Sequence, residues 1–142
     1  MKIDHINIVV ENLESARDFF LDLGFEIKTS GKLEGEWIDK IVNLSDVNAE
    51  YIALSLPGHE TNLELLKFNN PQDKTSQTKS KANQFGYRHM ALEVKNIESV
   101  VKTLKDKGVR FYSDIQIYNK KKKLCYFEGP EGIILELAEY KK

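Results

Sequence analysis

Apolar and polar residues alternate near the start of the chain, and a helical pattern follows directly. Ile6 and Ile8 share one face of the predicted strand. Asn12 is a favourable residue for a helix N-cap, and Gly24 is typical of a helix end. Between them the apolar positions recur three or four residues apart, at Leu13, Ala16, Phe20 and Leu23. This pattern predicts a strand, an amphipathic helix and then a second strand over residues 25–30.

The same pattern returns 84 positions later, so the chain contains an internal repeat. Residues 4–27 align with residues 88–111, and seven of the 24 aligned positions are identical. One identical pair is His5 and His89, and because the offset is even, both lie on the strand face opposite the apolar residues. A histidine at the same strand position in both copies indicates a site built from equivalent elements.

Two further strands are predicted after each strand–helix–strand segment. In the first half they cover residues 50–56 and 62–68, and in the second half residues 122–127 and 132–140. Each pair is joined by a segment with the glycine and proline content of hairpin turns, PGHET and EGPEG. The order of elements therefore predicts an α+β fold made of two βαβββ modules.

The two predicted modules have definite bounds. The first spans residues 1–68 and the second spans residues 85–142. In the second module Asn96 and Gly108 bound the predicted helix, and residues 109–112 follow as a strand.

Two segments depart from a simple repeat. Residues 69–84 are polar and poor in apolar residues, which predicts a linker with the composition of a mobile segment. Near residues 36–44 the first half has an insertion in which Trp37, Ile41 and Leu44 lie at helical spacing. We predict a short inserted helix there. Its tryptophan either lines a substrate pocket or packs the helix on the sheet.

The composition is that of an ordinary globular chain. Its 142 residues are 41% hydrophobic and carry a net charge of −1, which gives no electrostatic reason to expect nucleic acid or membranes as partners. No apolar run approaches about 18 residues and no secretory signal is recognisable, so a cytoplasmic location is expected. The single cysteine, Cys125, lies in the apolar segment LCYF, where a buried filler is favoured over a nucleophile.

Each last strand carries a glutamate next to leucines, Glu64 in LELL and Glu136 in LELA. If those leucines meet the helix, alternation places both glutamates on the same face as the histidines. His5, Glu64, His89 and Glu136 then form a candidate site for a divalent metal ion, with imidazole and carboxylate ligands and no thiolate. Taken singly, each residue is more simply a polar strand residue, but a buried carboxylate between leucines needs a partner.

Two other polar features have simpler explanations. His59 lies in the PGHET turn, where a surface position is favoured over metal ligation. The basic run 120–123 could bind a phosphate or carboxylate of a substrate, although a solvated hairpin tip is the commoner explanation.

The motifs around the four candidate ligands resemble the glyoxalase I/bleomycin-resistance/extradiol-dioxygenase superfamily, also called the vicinal oxygen chelate proteins. The matching segments are DHINIVV, TNLELLKF, GYRHMALEV and GPEGIILELAEY. The resemblance implies that the modules pair into a curved mixed sheet around a metal-binding concavity, with His5, Glu64, His89 and Glu136 as ligands. The implied ion is divalent, with zinc or nickel favoured and cobalt, manganese or iron as alternatives. Family members often form homodimers, and open sheet edges favour the same here.

The complete set of four ligands resembles that of glyoxalase I-like isomerases and lyases. It implies proton abstraction next to a metal-bound carbonyl with an enediolate intermediate, with Glu136 as general base by resemblance or Glu64 by symmetry. The implied substrate is a small molecule, a thiol adduct of methylglyoxal. One alternative is a methylmalonyl-CoA epimerase-like enzyme acting on an acyl-CoA, although such enzymes usually carry glutamine at the position of Glu64. The other is a non-enzymatic protein that binds a small drug or toxin.

Overall fold

The structure is a computed structural model that describes residues 1–73, 75 and 81–141. The chain divides into two compact units, Met1–Ser76 and Gln77–Lys142. Each unit contains a four-stranded mixed sheet and follows the βαβββ order, so the predicted α+β class is confirmed.

The first unit carries one additional helix within its βαβββ order. Its elements are β1 (His5–Val9), α1 (Leu13–Asp22), β2 (Glu26–Glu34), α2 (Glu36–Val42), β3 (Asn48–Ser55) and β4 (Asn62–Asn70). The strands lie in the order β1-β4-β3-β2, with β1 parallel to β4 and the other pairs antiparallel. The first strand therefore lies beside the last, which brings residues near position 5 next to residues near position 64.

The described residues of the second unit repeat this topology without the additional helix. Its elements are β5 (His89–Glu93), α3 (Ile97–Asp106), β6 (Gln116–Tyr118), β7 (Lys122–Glu128), a short 3-10 turn (Pro130–Gly132) and β8 (Ile134–Tyr140). The strand order is β5-β8-β7-β6, again with the first strand parallel to the last.

The helix boundaries follow from the residues that the sequence pattern singled out. The Oδ1 atom of Asn12 accepts a hydrogen bond from the Ser15 amide at 3.0 Å, and Asn96 accepts one from Ser99 at 2.9 Å. Gly24 has a φ of 97° directly after α1, a conformation that only glycine adopts without strain. None of the helices in the described ranges is long and apolar enough to cross a membrane.

Each principal helix covers one face of its own sheet. In the first unit Phe20 of α1 is fully buried, together with Leu63 and Leu65 of β4. In the second unit Leu104 of α3 is buried with Leu135 and Leu137 of β8, which follow the same alternation. Because strand residues alternate, the glutamate between each pair of leucines faces away from the helix.

The inserted helix exists, but the face predicted to pack is exposed. Trp37 is 54% and Ile41 70% exposed, Leu44 is also exposed, and the Trp37 indole donates a hydrogen bond to the Glu34 carbonyl at 3.0 Å. The buried residue is Ile38, in a cluster with Val47, Ala49 and Leu66. Trp37 therefore does not pack the helix on the sheet, and its alternative role in lining a substrate pocket stays a prediction.

The cluster around Ile38 also fixes which face of the sheet α2 covers. Leu66 lies two residues after Glu64 on β4, so both side chains project from the same face, opposite α1. The inserted helix thus packs on the face that carries the candidate glutamate, beside it along the strand.

The strand predicted over residues 109–112 is wrong. Only Phe111 pairs there, in an isolated bridge with Phe127, and the two rings stack at 5.4 Å. Two backbone hydrogen bonds of 2.9 Å, from the Tyr112 amide to the Tyr126 carbonyl and from the Glu128 amide to the Arg110 carbonyl, form this single bridge. The actual edge strand, β6, is exposed at all three residues, so it has no apolar face for alternation to reveal.

The predicted linker begins too early. Strand β4 continues through Asn70, because Asn48 of β3 pairs with that residue. The central part of the predicted linker, at residues 74 and 76–80, lies outside the described residues. The mobility predicted for that segment therefore stays a prediction.

Candidate metal centre

The first unit places one histidine and one glutamate on neighbouring strands. His5 begins β1, and Glu64 of β4 is the register partner of Asn7. The side-chain amide of Asn7 donates a hydrogen bond to Glu64 Oε1 at 2.8 Å. One oxygen of Glu64 therefore has a neutral donor, and Oε2 is left for another partner.

The ring of His5 is oriented by the residue before it. Its Nδ1 lies 2.7 Å from Oδ2 of Asp4. This hydrogen bond raises the pKa of His5, and the charge of Glu64 acts in the same direction. A carboxylate on one ring nitrogen is the usual support for a histidine that ligates metal through the other nitrogen, here Nε2.

The second unit holds the equivalent pair in direct contact. His89 Nε2 lies 3.1 Å from Glu136 Oε2, and the side chain of Glu136 is only 6% exposed. The ring of Tyr126, the register partner of Glu136 on β7, packs against the His89 ring with centroids 4.9 Å apart. Glu136 is the one charged residue in the described part of the chain that is fully buried.

A lysine also reaches the buried carboxylate. Lys122 Nζ lies 3.2 Å from Glu136 Oε1 and 5.3 Å from the centroid of the Tyr140 ring. The Glu136 carboxylate raises the pKa of Lys122. The angles of this ion pair depart from those of a hydrogen bond, and Glu136 Oε1 has no hydrogen-bond donor among the described residues.

The basic run 120–123 is therefore not simply a solvated hairpin tip. Lys120 and Lys121 are exposed at the turn, but Lys122 contacts the candidate site. Lys123 projects from the opposite face and pairs with Glu98 at 2.6 Å. Alternation along β7 separates the two halves of the run.

The donor atoms of the second unit have a spacing that fits a divalent ion. Two ligands that each lie about 2.0–2.2 Å from one ion are themselves about 3 Å apart. The 3.1 Å between His89 Nε2 and Glu136 Oε2 matches this spacing, and imidazole with carboxylate suits zinc, nickel, cobalt, manganese or iron. Within the described residues, no three histidine, cysteine, aspartate or glutamate side chains gather in a metal-binding arrangement. The predicted set of four ligands remains a prediction.

Three residues near these pairs could not be found from patterning. Asp4, Asn7 and Lys122 contact His5, Glu64 and Glu136 respectively. Only Asp4 had a usable signal, because an acidic residue beside a histidine is a common support for metal ligation. The second unit also contains a cleft of about 340 Å³ whose lining includes three tyrosines, formed by Tyr112, Ser113, Gln116, Ile117, Tyr118, Leu124, Cys125 and Tyr126.

The remaining sequence candidates lie outside the two pairs. His59 is exposed in its turn, where its amide donates to the Leu56 carbonyl at 3.1 Å. Cys125 is 3% exposed on β7, and burial raises the pKa of its thiol to about 11. Such a thiol is a poor nucleophile at neutral pH.

This burial predicts a measurable lack of reactivity. The thiol of folded Cys125 should react with a maleimide about 100-fold more slowly than the unfolded chain near pH 8, because its pKa is raised from 9.0 to about 11 and thiolate is the reacting form. Stopped-flow labelling with and without denaturant measures the ratio. Equal rates would mean that the thiol is accessible and that the filler assignment is wrong.

Each of the two βαβββ units carries a histidine on its first strand and a glutamate on its last. The sequence profile of the glyoxalase/bleomycin resistance protein/dioxygenase superfamily matches residues 2–137. The chain therefore belongs to this superfamily. Members of the superfamily commonly bind divalent metals and small-molecule substrates.

Individual relatives agree on the family but differ in activity. A 2-epi-5-epi-valiolone epimerase from Actinomyces sp. is 24% identical over an alignment of 143 positions that covers 95% of this chain and 77% of that protein. A glyoxalase family protein from Bacillus cereus is 28% identical with a TM-score of 0.94, covering 100% of this chain and 95% of its own. The trypanothione-dependent glyoxalase I of Leishmania major shares the fold at 21% identity and a TM-score of 0.68, covering 98% of this chain and 86% of its own.

Proposed function

We propose that this protein is a metal-dependent isomerase or lyase of the glyoxalase type. The observation that carries the proposal is the buried Glu136 carboxylate, 3.1 Å from the Nε2 atom of His89, in a unit whose repeat holds His5 and Glu64 at equivalent positions. A carboxylate is kept in such a place, despite the cost of its desolvation, where it binds a cation or moves a proton.

His5, Glu64, His89 and Glu136 are proposed to hold the ion. A divalent ion bound by these residues supplies Lewis-acid polarisation of a substrate carbonyl, which acidifies the neighbouring C–H bond. Glu136 takes that proton as general base and returns it to the adjacent carbon. Asp4 and Asn7 orient His5 and Glu64, and the Tyr126 ring holds the His89 imidazole in place.

Two reactions begin with this proton abstraction. The first converts a hemithioacetal of methylglyoxal and a thiol, as in glyoxalase I. The second is an epimerisation next to a carbonyl, favoured by the similarity to the Actinomyces epimerase, with an acyl-CoA thioester or a cyclic ketone as substrate. In both, a base removes a proton next to the polarised carbonyl, so the same four side chains would serve this first step. The isomerase then returns the proton to the adjacent carbon, whereas the epimerase returns a proton to the opposite face of the same carbon.

The test has two stages. Elemental analysis of the purified protein should find about one divalent ion per chain, with zinc or nickel expected. The loaded protein is then assayed for turnover of a methylglyoxal–thiol adduct and, in parallel, for exchange of the substrate α-proton with deuterium in an acyl-CoA and a cyclic ketone. A protein without metal and without exchange in any substrate would be a binding protein, and the proposal would fail.

We also propose a homodimer. The outer strands of the two sheets are β1 and β2 in the first unit and β5 and β6 in the second, and backbone groups at sheet edges favour pairing or covering. Light scattering at micromolar concentration should give about twice the mass of the 16.4 kDa chain. A monomer would contradict this prediction.

A further inference from the structure

The two glutamates of the repeat have different partners. Glu64 accepts a hydrogen bond from the neutral Asn7 side chain of β1, whereas Glu136 contacts the charged Lys122 side chain of β7. The repeat would allow both arrangements in both units. Each unit uses only one of them.

The strand registers identify what replaces each partner. Asn7 lies opposite Glu64 in the first unit, and Ala91 lies opposite Glu136 in the second. The second unit therefore has alanine at the position of the neutral donor. Lys122 of β7 pairs with Tyr140 of β8, and the equivalent pair in the first unit is Ala49 of β3 with Phe68 of β4. The first unit therefore has alanine at the position of Lys122. Each unit therefore carries alanine where the other carries the partner of its glutamate.

The inserted helix explains why the first unit has alanine at position 49 and not lysine. In the first unit α2 packs over the face at Ala49, which is 1% exposed and belongs to the cluster around Ile38. A lysine there would have its ammonium forced into an apolar cluster. Between β6 and β7 the described residues form no such helix, and the Lys122 ammonium lies over the Tyr140 ring.

We propose that Lys122 is a positioning residue that competes with the metal ion for Glu136, and so sets the metal affinity of the site. This inference rests on the proposed function. Without metal, the ammonium neutralises a carboxylate that is only 6% exposed and that otherwise has the His89 ring beside it. With metal, the ammonium lies a few ångströms from a second positive charge, and the carboxylate is shared between two cations.

Both contacts of the lysine lower the metal affinity. The ion pair stabilises the metal-free protein, and charge repulsion destabilises the metal-bound protein. Removing the lysine charge should therefore strengthen metal binding. Because Lys122 is partly exposed and screened, we expect an increase in affinity of about tenfold, not the far larger factor of a fully buried pair.

The test measures Zn²⁺ affinity by competition with a chromophoric chelator, a readout that needs no turnover. Lys122→Gln removes the charge, and Lys121→Gln, at the exposed turn one residue earlier, is the matched control. The double variant Ala91→Asn/Lys122→Ala gives Glu136 the neutral partner that Glu64 has, and it keeps the test valid if the single variant folds poorly. Circular dichroism checks the fold of each protein.

We expect both Lys122 variants to bind Zn²⁺ about tenfold more tightly than the wild type, and Lys121→Gln to match the wild type. A wild type that binds no zinc beside a Lys122→Gln variant that does would also support the inference. Equal or weaker binding by the Lys122 variants would overturn it while leaving the proposed function intact. Failure of every protein, including the wild type, to bind zinc would overturn both.

Discussion

Glu136→Gln should lower turnover by about 10²–10⁴-fold while leaving most metal binding in place. The glutamine oxygen still offers a ligand atom, but the amide cannot accept the substrate proton at neutral pH. Glu136 is the stronger candidate for the base, because it is buried and its Oε1 atom has no hydrogen-bond donor among the described residues. Steady-state kinetics and metal content, measured on the same preparation, separate the two effects.

Glu64→Gln is the matched comparison and should be the milder change. Glu64 already accepts a hydrogen bond from the neutral Asn7 amide, and a glutamine can keep an oxygen directed at the same donor. We expect a smaller loss of turnover than for Glu136→Gln, with metal binding again largely retained. If Glu64→Gln proved the more damaging, the role of base would pass to the first unit. If neither change altered any activity, the protein would be a binder and not an enzyme.

The parts of the fold that were predicted correctly depend on local rules. Asn12 and Asn96 cap their helices through their own side chains, and Gly24 adopts the positive φ that ends α1. Helix caps and strand alternation involve neighbours within a few residues, so they are visible in the sequence. The repeat supplied the long-range information that His5 and His89 occupy equivalent strand positions, because equivalent residues of a repeated unit take equivalent places in its sheet.

The parts that were missed depend on contacts across the sheet. The inserted helix was predicted from Trp37, Ile41 and Leu44, but the side of a short helix that is buried is decided by what lies beneath it, and Ile38 meets Leu66. A seven-residue helix with apolar residues on more than one side does not specify that choice. Strand β6 was missed for the opposite reason, because it buries nothing.

Of the candidate site, the four ligand residues could be proposed from the sequence, but their immediate partners could not. Lys122 lies in a basic run whose most common explanation is exposure to solvent, and only the register of β7 with β8 directs it toward Glu136. Asn7 is one of many polar residues on strand faces, and its role follows from the parallel pairing of β1 with β4. Pairing partners at a distance of about 60 residues are not encoded in a local pattern.

Replacing either repeated histidine should remove most of the metal affinity. Partners that merely orient a metal ligand typically contribute about 10–100-fold to affinity, so loss of a ligand itself should cost more than about 100-fold. We therefore expect His5→Ala and His89→Ala each to weaken Zn²⁺ binding by more than about 100-fold. His59→Ala, which changes the exposed third histidine, should leave the affinity unchanged and is the matched control.

Asp4→Asn adds an intermediate step to this series. Asp4 orients His5 through the 2.7 Å contact with Nδ1 and is not proposed to touch the ion, so its loss should weaken binding by about 10–100-fold, less than the loss of His5. Chelator competition on the four variants gives the order directly, and the stoichiometry should remain at about one ion per chain until a histidine is removed. If His89→Ala abolished binding while His5→Ala and Asp4→Asn had no effect, the ion would be held by the second unit alone, and the proposed role of the repeat would be wrong.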